Sequence, residues 1–226
     1  MVAACRALET ELPDAFAHDP FAARLAGARG FAILDAVPYS MILRFGMAVR
    51  TRFLDELLSG VLAGDAITTV LSVGCGLDTR PWRLDLPAEL HWIEVDFPDV
   101  LDYKYGLLAD EKSHCHVERL SVDLNEPVQR QTMYDKAGNR ALMITEGVLM
   151  YLPAGTVRAL AAECGRIPAL PIGSATSPPI PSTRHSRVGR KETISGMFKP
   201  RMRLLESRFS TFCAVMAGRQ PRCAAT

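Results

Sequence analysis

The sequence has no apolar run of 18 residues, no basic-then-apolar leader and no Cys-x-x-Cys pair. The first absence removes a membrane-spanning helix from the reading, the second a secretory signal, and the third most structural zinc and dithiol sites. Charge of one sign is not in excess either. With 26 basic and 25 acidic residues in 226, the net charge is +1. Such a balance offers little to a nucleic-acid backbone. No internal repeat is present, so solenoids and propellers drop out. The six cysteines (Cys5, Cys75, Cys115, Cys164, Cys213, Cys223) are scattered, as free thiols in a reducing compartment are. These absences describe a soluble cytoplasmic protein that binds no nucleic acid, membrane or metal.

What is present is an apolar fraction of 48%, enough to build the core of one α/β domain. The even charge is an average over two unlike segments. Residues 168–226 hold ten basic and two acidic side chains, net +8. The first 167 hold sixteen and twenty-three, net −7. The later segment is also rich in Pro, Ser and Arg and has no period. It cannot bury enough apolar surface to offset its ordering entropy, and it is expected to be poorly ordered. Only residues 194–216 regain apolar content, with a strand candidate at 209–216.

Residues 1–64 read as a helical N-terminal region. Residues 3–12 are rich in Ala, Leu and Glu, and Asp19 reads as an N-cap with Pro20 at the first helical position. Over 49–62, Phe53, Leu57, Leu58, Val61 and Leu62 fall at helical spacing, and Gly64 follows as a stop. The rhythm then changes. Short apolar runs at 67–73, 90–95, 117–122 and 141–145 read as strands, with helices at 98–110 and 153–164 between and after them. Strands alternating with helices over 65–167 predict a mainly parallel sheet with helices on both faces. Another strand–helix unit is expected after residue 167 and is missing, so the sheet reads as incomplete at its C-terminal end.

The chemistry collects where strands end. The first run breaks into Gly74, Cys75 and Gly76, with Asp78 just after, and the second ends in Glu94 and Asp96 about twenty residues on. Glycines under a ligand and a carboxylate for ribose hydroxyls are the layout of a nucleotide-type cofactor site. The third glycine of the dinucleotide fingerprint is absent, with Arg80 and Pro81 in its place. That favours a cofactor with no pyrophosphate, such as S-adenosyl-L-methionine, over a nicotinamide dinucleotide. Glu94 and Asp96 share one face of their strand, and one of the two is expected to cap the helix at Pro98. Asp123 ends the third strand, where it can accept from an adenine amine while Leu124 packs on the ring, although Asp-Leu-Asn-Glu-Pro is also a good turn. Glu146 ends the fourth, either holding an ammonium or acting as a base. Arg50 is the candidate to grip a carboxylate of cofactor or acceptor, whereas Arg52 reads as solvated. His114-Cys115-His116 reads as a polar turn before a strand rather than a metal site.

These residues, taken with others in the same order, resemble the leucine carboxyl methyltransferase family, closest to its bacterial branch of S-adenosylmethionine-dependent methyltransferases. The matching pieces include Arg6 with Asp19-Pro-Phe-Ala-Ala-Arg-Leu-Ala-Gly27, Val49-Arg-Thr-Arg-Phe-Leu-Asp55 and Val73-Gly-Cys-Gly-Leu-Asp-Thr-Arg80. Arg83-Leu84, Glu94-Val-Asp-Phe-Pro98, Val122-Asp-Leu124 and Thr145-Glu-Gly-Val-Leu-Met-Tyr-Leu-Pro153 complete them. The resemblance covers residues 1 to about 167 and implies a class I methyltransferase fold of Rossmann-like type. It implies cofactor contacts at Arg50, Gly74, Asp96, Asp123, Leu124 and Glu146, and it singles out Asp96 over Glu94. Cys75 stands where the family carries alanine. Residues 168–226 do not match the family's continuation, and a shifted reading frame or truncation is favoured over a divergent lid. The expected activity is methyl transfer from S-adenosyl-L-methionine to a carboxylate or hydroxyl of a small molecule. The alternatives are a cofactor-binding remnant impaired by its C-terminus and a nicotinamide-dependent oxidoreductase.

Overall fold

Four short apolar runs become strands, and their order in space sets up the site. The computed structural model describes residues 1–164 apart from Tyr39 and Asp65. The Pro/Ser/Arg-rich segment at 168–226, its expected disorder and its strand candidate lie outside the described residues.

Strands β1 (Thr69–Val73), β2 (His91–Asp96), β3 (His116–Ser121) and β4 (Ala141–Thr145) pair only in parallel, in the order β3-β2-β1-β4. The helices are α1 (Val2–Thr10), α2 (Ala22–Asp35), α3 (Ser40–Gly64), α4 (Arg80–Arg83), α5 (Pro98–Leu107), α6 (Pro127–Ala137) and α7 (Ala154–Cys164). A short 3-10 turn, Leu149–Tyr151, precedes α7. Proline opens both α5 and α6, where its missing N–H costs nothing. The described chain is therefore a Rossmann-like α/β unit.

β1 is buried along its whole length, as a strand covered on both faces must be. Its alternate side chains face opposite ways. Leu71 and Val73, with Ile93 and Val95 of β2, pack on Met133 and Tyr134 of α6 and Leu160 of α7. Val70 and Trp92 face the other way, onto Leu58 of α3. Each such aliphatic side chain contributes roughly 1.5–3 kcal/mol of burial, which holds the strand ends in place. A third cluster joins Ala3, Ala4, Cys5, Ala26 and Leu34 of α1 and α2, and Leu77 borders it. The N-terminal helices thus reach the loop that follows β1.

Two helix starts differ from the expected ones. α2 opens at Ala22 with Phe21 as its N-cap. Asp19 is 2% exposed and serves both sides: Oδ2 accepts from Arg6 Nε and Thr79 Oγ1, both at 2.7 Å, while Oδ1 still accepts the Phe21 N–H at the helix entry at 3.1 Å. α3 begins nine residues earlier than its apolar stripe suggests. Leu43 and Met47 face the third cluster while Met41, Ile42 and Phe45 are exposed, so apolar residues on both sides hide the period. At the turn before β3, Ser113 Oγ donates to the Cys115 carbonyl at 2.8 Å and the His116 ring lies 4.9 Å from that of His91. Among the described residues no helix is long and apolar enough to cross a membrane.

Candidate functional site

Chain order and sheet order part company beside β1. The chain goes from β1 to β2 to β3 on one side and then crosses to β4 on the other. The loop after β1 therefore sits at the switch point, where open parallel sheets take ligands at the carboxyl ends of their strands. Register aligns those ends: Val73 lies opposite both Val95 and Thr145, and Asp96 opposite Ser121. Asp123, Asp96, the glycine turn and Glu146 form one row. Three interstrand spacings make it about 14 Å long.

The two glycines of the turn do different jobs. Both have positive φ, +66° at Gly74 and +50° at Gly76. A Cβ on Gly74 would stand 2.6 Å from Val148 Cβ, so the space beside this glycine is filled by the loop after β4. Gly76 faces open space, and its N–H donates to Asp96 Oδ2 at 2.7 Å. Gly74 is thus a packing requirement, and Gly76 is the open floor. Burial pushes the Cys75 thiol between them well up, leaving a neutral spacer.

Asp96 is half-buried, with Oδ1 accepting the Phe97 N–H at 2.8 Å. Two backbone donors orient this carboxylate while its remaining lone pairs stay available for hydroxyl donors. Phe97 beside it is 57% exposed. Glu94 shares that face of β2 but has a different fate. It is fully buried, accepting from Lys104 Nζ at 2.6 Å and Tyr105 OH at 3.2 Å. Burial raises the Glu94 carboxyl; at Lys104 burial works against the charge, and Glu94 together with Cys75 and Asp78 outweighs it and raises the ammonium. The donors that Glu94 needs come from α5, so it belongs to the core, and neither acid caps α5, whose N-cap is Phe97.

Asp123 lies half-buried at the end of β3 and also closes the turn anticipated for it. Its Oδ1 accepts the Asn125 N–H at 2.9 Å and Asn125 Nδ2 at 3.0 Å. Leu124 is not brought to the open edge. Its side chain packs in the core with Val122 and Met133.

The β4 end is built from paired charges. Arg50 Nε donates to Glu146 Oε1 at 2.8 Å, and its Nη2 lies 2.6 Å from the same oxygen. Arg80 Nη1 reaches the other oxygen, Oε2, at 3.0 Å and Asp78 Oδ2 at 2.9 Å, while its Nε donates to Asp55 Oδ1 at 2.7 Å. Arg83 clamps Asp55 with two bonds, at 2.6 and 2.9 Å. Three arginines and three carboxylates thus alternate from α3 through α4 to the end of β4. Burial alone would raise Asp78, but Arg80, with Lys104, Arg83 and Arg6 behind it, holds the carboxyl far below its ordinary value. Burial also works against the Arg80 charge, and Asp78, Glu146 and Asp55 outweigh it. A cavity of about 300 Å³ runs along β4 beside this chain, walled by Leu54 and Leu57 of α3 and by Leu142 and Ile144.

The structure therefore gathers Arg50, Gly74, Gly76, Asp96, Asp123 and Glu146 at one edge. Arg80, Asp55 and Arg83, which join them, stand in the pieces that carry the resemblance but are not among the candidate site residues. Arg80 and Arg83 stand three apart directly after the turn, so they share a helix face. That spacing was a usable signal, but it does not reveal Asp55 as the partner.

The family model described as leucine carboxyl methyltransferase matches residues 1–164. Among similar proteins are three each named "Putative S-adenosyl-L-methionine-dependent methyltransferase". That of Streptomyces coelicolor is 34% identical over 176 residues, covering 73% of this chain and 62% of its own length. That of Streptomyces avermitilis is 34% identical over 174 residues, covering 72% and 61%. The Mycolicibacterium smegmatis protein is 37% identical over 171 residues, covering 68% and 56%. The matched region thus spans about three fifths of the length of these relatives.

Proposed function

The chain belongs to the leucine carboxyl methyltransferase family, and on that premise we propose that it binds S-adenosyl-L-methionine and transfers its methyl group to an oxygen of a small molecule. The observation that carries this reading is the Asp96 carboxylate, oriented by two N–H donors at a switch-point edge and still able to accept from a pair of hydroxyls. The rest of the row fits the same group. Among the described residues Asn125 occupies Oδ1 of Asp123, which leaves Oδ2 for an exocyclic amine. Exposed Phe97 offers the ring face that buried Leu124 does not. Arg50 and Glu146 match, in sign and position, the carboxylate and ammonium of an amino-acid head.

When bound, S-adenosyl-L-methionine supplies a methyl group on a sulfonium, open to displacement by an oxygen nucleophile. The chain's own residues then orient and hold. Glu146, the base candidate from the sequence, has both oxygens engaged by guanidinium groups, which makes it a holding group rather than a proton acceptor. An acceptor that needs no base is favoured, and a carboxylate is one. On this reading the acceptor is a small carboxylic acid and the product a methyl ester.

Titration calorimetry of the full chain with S-adenosyl-L-methionine tests the first half, and absence of binding sinks it. For the second, products labelled from the cofactor's methyl group are treated with base. An ester releases its label as methanol, whereas a stable label identifies an ether and a hydroxyl acceptor.

A further inference from the structure

Glu146 is held by two arginines in unequal settings. Arg50 is 28% exposed on α3, and among the described residues its guanidinium bonds to Glu146 and lies beside Gly147, where a Cβ would stand 3.3 Å from Nη2. Arg80 is 5% exposed and tied on three sides, to Asp55, Asp78 and Glu146. Asp55 is itself clamped by both Nη atoms of Arg83. A long side chain with one anion as partner can exchange it for another. A guanidinium braced by three carboxylates cannot, because each bond that it gave up would leave a buried charge short of a partner.

We propose that Arg80 is a positioning residue: it anchors Glu146 through Oε2, so that Oε1 stays fixed at the sheet edge when Arg50 turns to the carboxylate of an incoming amino-acid head. The inference rests on the cofactor reading above. It divides labour between the two arginines, one exchanging partners and one staying. It also explains why Asp55, Asp78 and Arg83 are spent on a residue that does not itself line the Asp96 side of the row.

The test compares two ligands that share a nucleoside and sulfur, S-adenosyl-L-methionine and 5′-methylthioadenosine, of which only the first carries the amino-acid head. In Arg80→Lys the charge remains but the fork is lost. Affinity for S-adenosyl-L-methionine should fall by about tenfold or more, with 5′-methylthioadenosine changed by less than about twofold. In the ligand-free protein, amide exchange at 147–151 should quicken while β1 and β2 keep wild-type protection. The double variant Arg80→Lys, Glu146→Gln should bind S-adenosyl-L-methionine no worse than Glu146→Gln alone. Equal losses for both ligands, or losses that add in the double variant, overturn the inference and mark Arg80 as a general structural residue. A wild-type chain that binds neither ligand overturns the cofactor reading as well, so the two failures are distinguishable. If Arg80→Lys does not fold, Arg83→Lys loosens the same brace at one remove. It should give a smaller loss with the same ligand selectivity, and an unselective loss again overturns the inference.

Discussion

Asp96 and Glu146 are both carboxylates at strand ends, with β1 between their strands, yet their surroundings are opposite in kind. Asp96 is held by two neutral backbone donors and keeps an open charge. Glu146 sits between Arg50 and Arg80 in a network of three arginines and three carboxylates whose charges cancel. The first arrangement suits neutral hydroxyl donors, which need an acceptor and bring no charge of their own. The second suits a zwitterion, because a ligand with paired charges can replace existing pairs without leaving one over. A single row of strand ends thus holds two recognition chemistries, set by what stands behind each acid.

The contrast breaks most decisively at Asp55. Asp55→Ala leaves Arg80 and Arg83 short of a shared partner in a buried setting, and should cost about 3–5 kcal/mol. Urea unfolding measures it, and a loss under about 1 kcal/mol would show that the chain is no more than a surface network.

Next in size is a pH effect at Asp78, whose folded carboxyl is held below its unfolded value near 4. The stability it contributes is complete above that value and drains away as pH falls toward the folded one. Between about pH 6 and about pH 3, the thermal midpoint should drop more steeply in the wild type than in Asp78→Asn. Parallel slopes would remove Asp78 from the network.

At the open end the expectation reverses. Asp96→Asn keeps an acceptor for one backbone N–H and should change stability by less than about 1 kcal/mol. Its affinity for S-adenosyl-L-methionine should fall by roughly tenfold to a hundredfold in calorimetry, as hydrogen bonds to a charged acceptor are lost. A large stability loss with binding intact would invert the comparison.

The smallest effect is at Arg52. Its partner Glu56 lies one turn on in α3, and both side chains are more than half exposed. Arg52→Ala should cost under about 0.5 kcal/mol and leave binding unchanged. Set beside Arg50 two residues earlier, it separates a site arginine from a solvated one on the same helix.

Much of the fold could be read in advance because the strands announce themselves. Ala141–Thr145 matches its apolar run residue for residue, and Thr69–Val73 lies inside its own. The start of α3 was hidden because apolar residues on both its sides leave no stripe. At the site, single acids at strand ends were legible, since a strand that ends in Gly, Asp or Glu can be recognised one residue at a time. The arginine chain was not. Arg80 and Asp55 are 25 positions apart, and Glu146 is 66 from Arg80. No local period links them.

By itself, then, the sequence determined the alternation of strands and helices, the glycine turn and the acids that close β2, β3 and β4. Each of these follows from neighbours in the chain, through backbone sterics and the burial of alternate side chains. Tertiary structure alone decided which acid stays open. Glu94 and Asp96 lie two residues apart on the same face of β2, but of the two Lys104 reaches only Glu94 and the backbone N–H groups reach only Asp96. It decided equally that Gly74 makes room for Val148 while Gly76 faces open space. A charge or a gap acquires its role from what folding brings against it, and those partners come from distant parts of the chain.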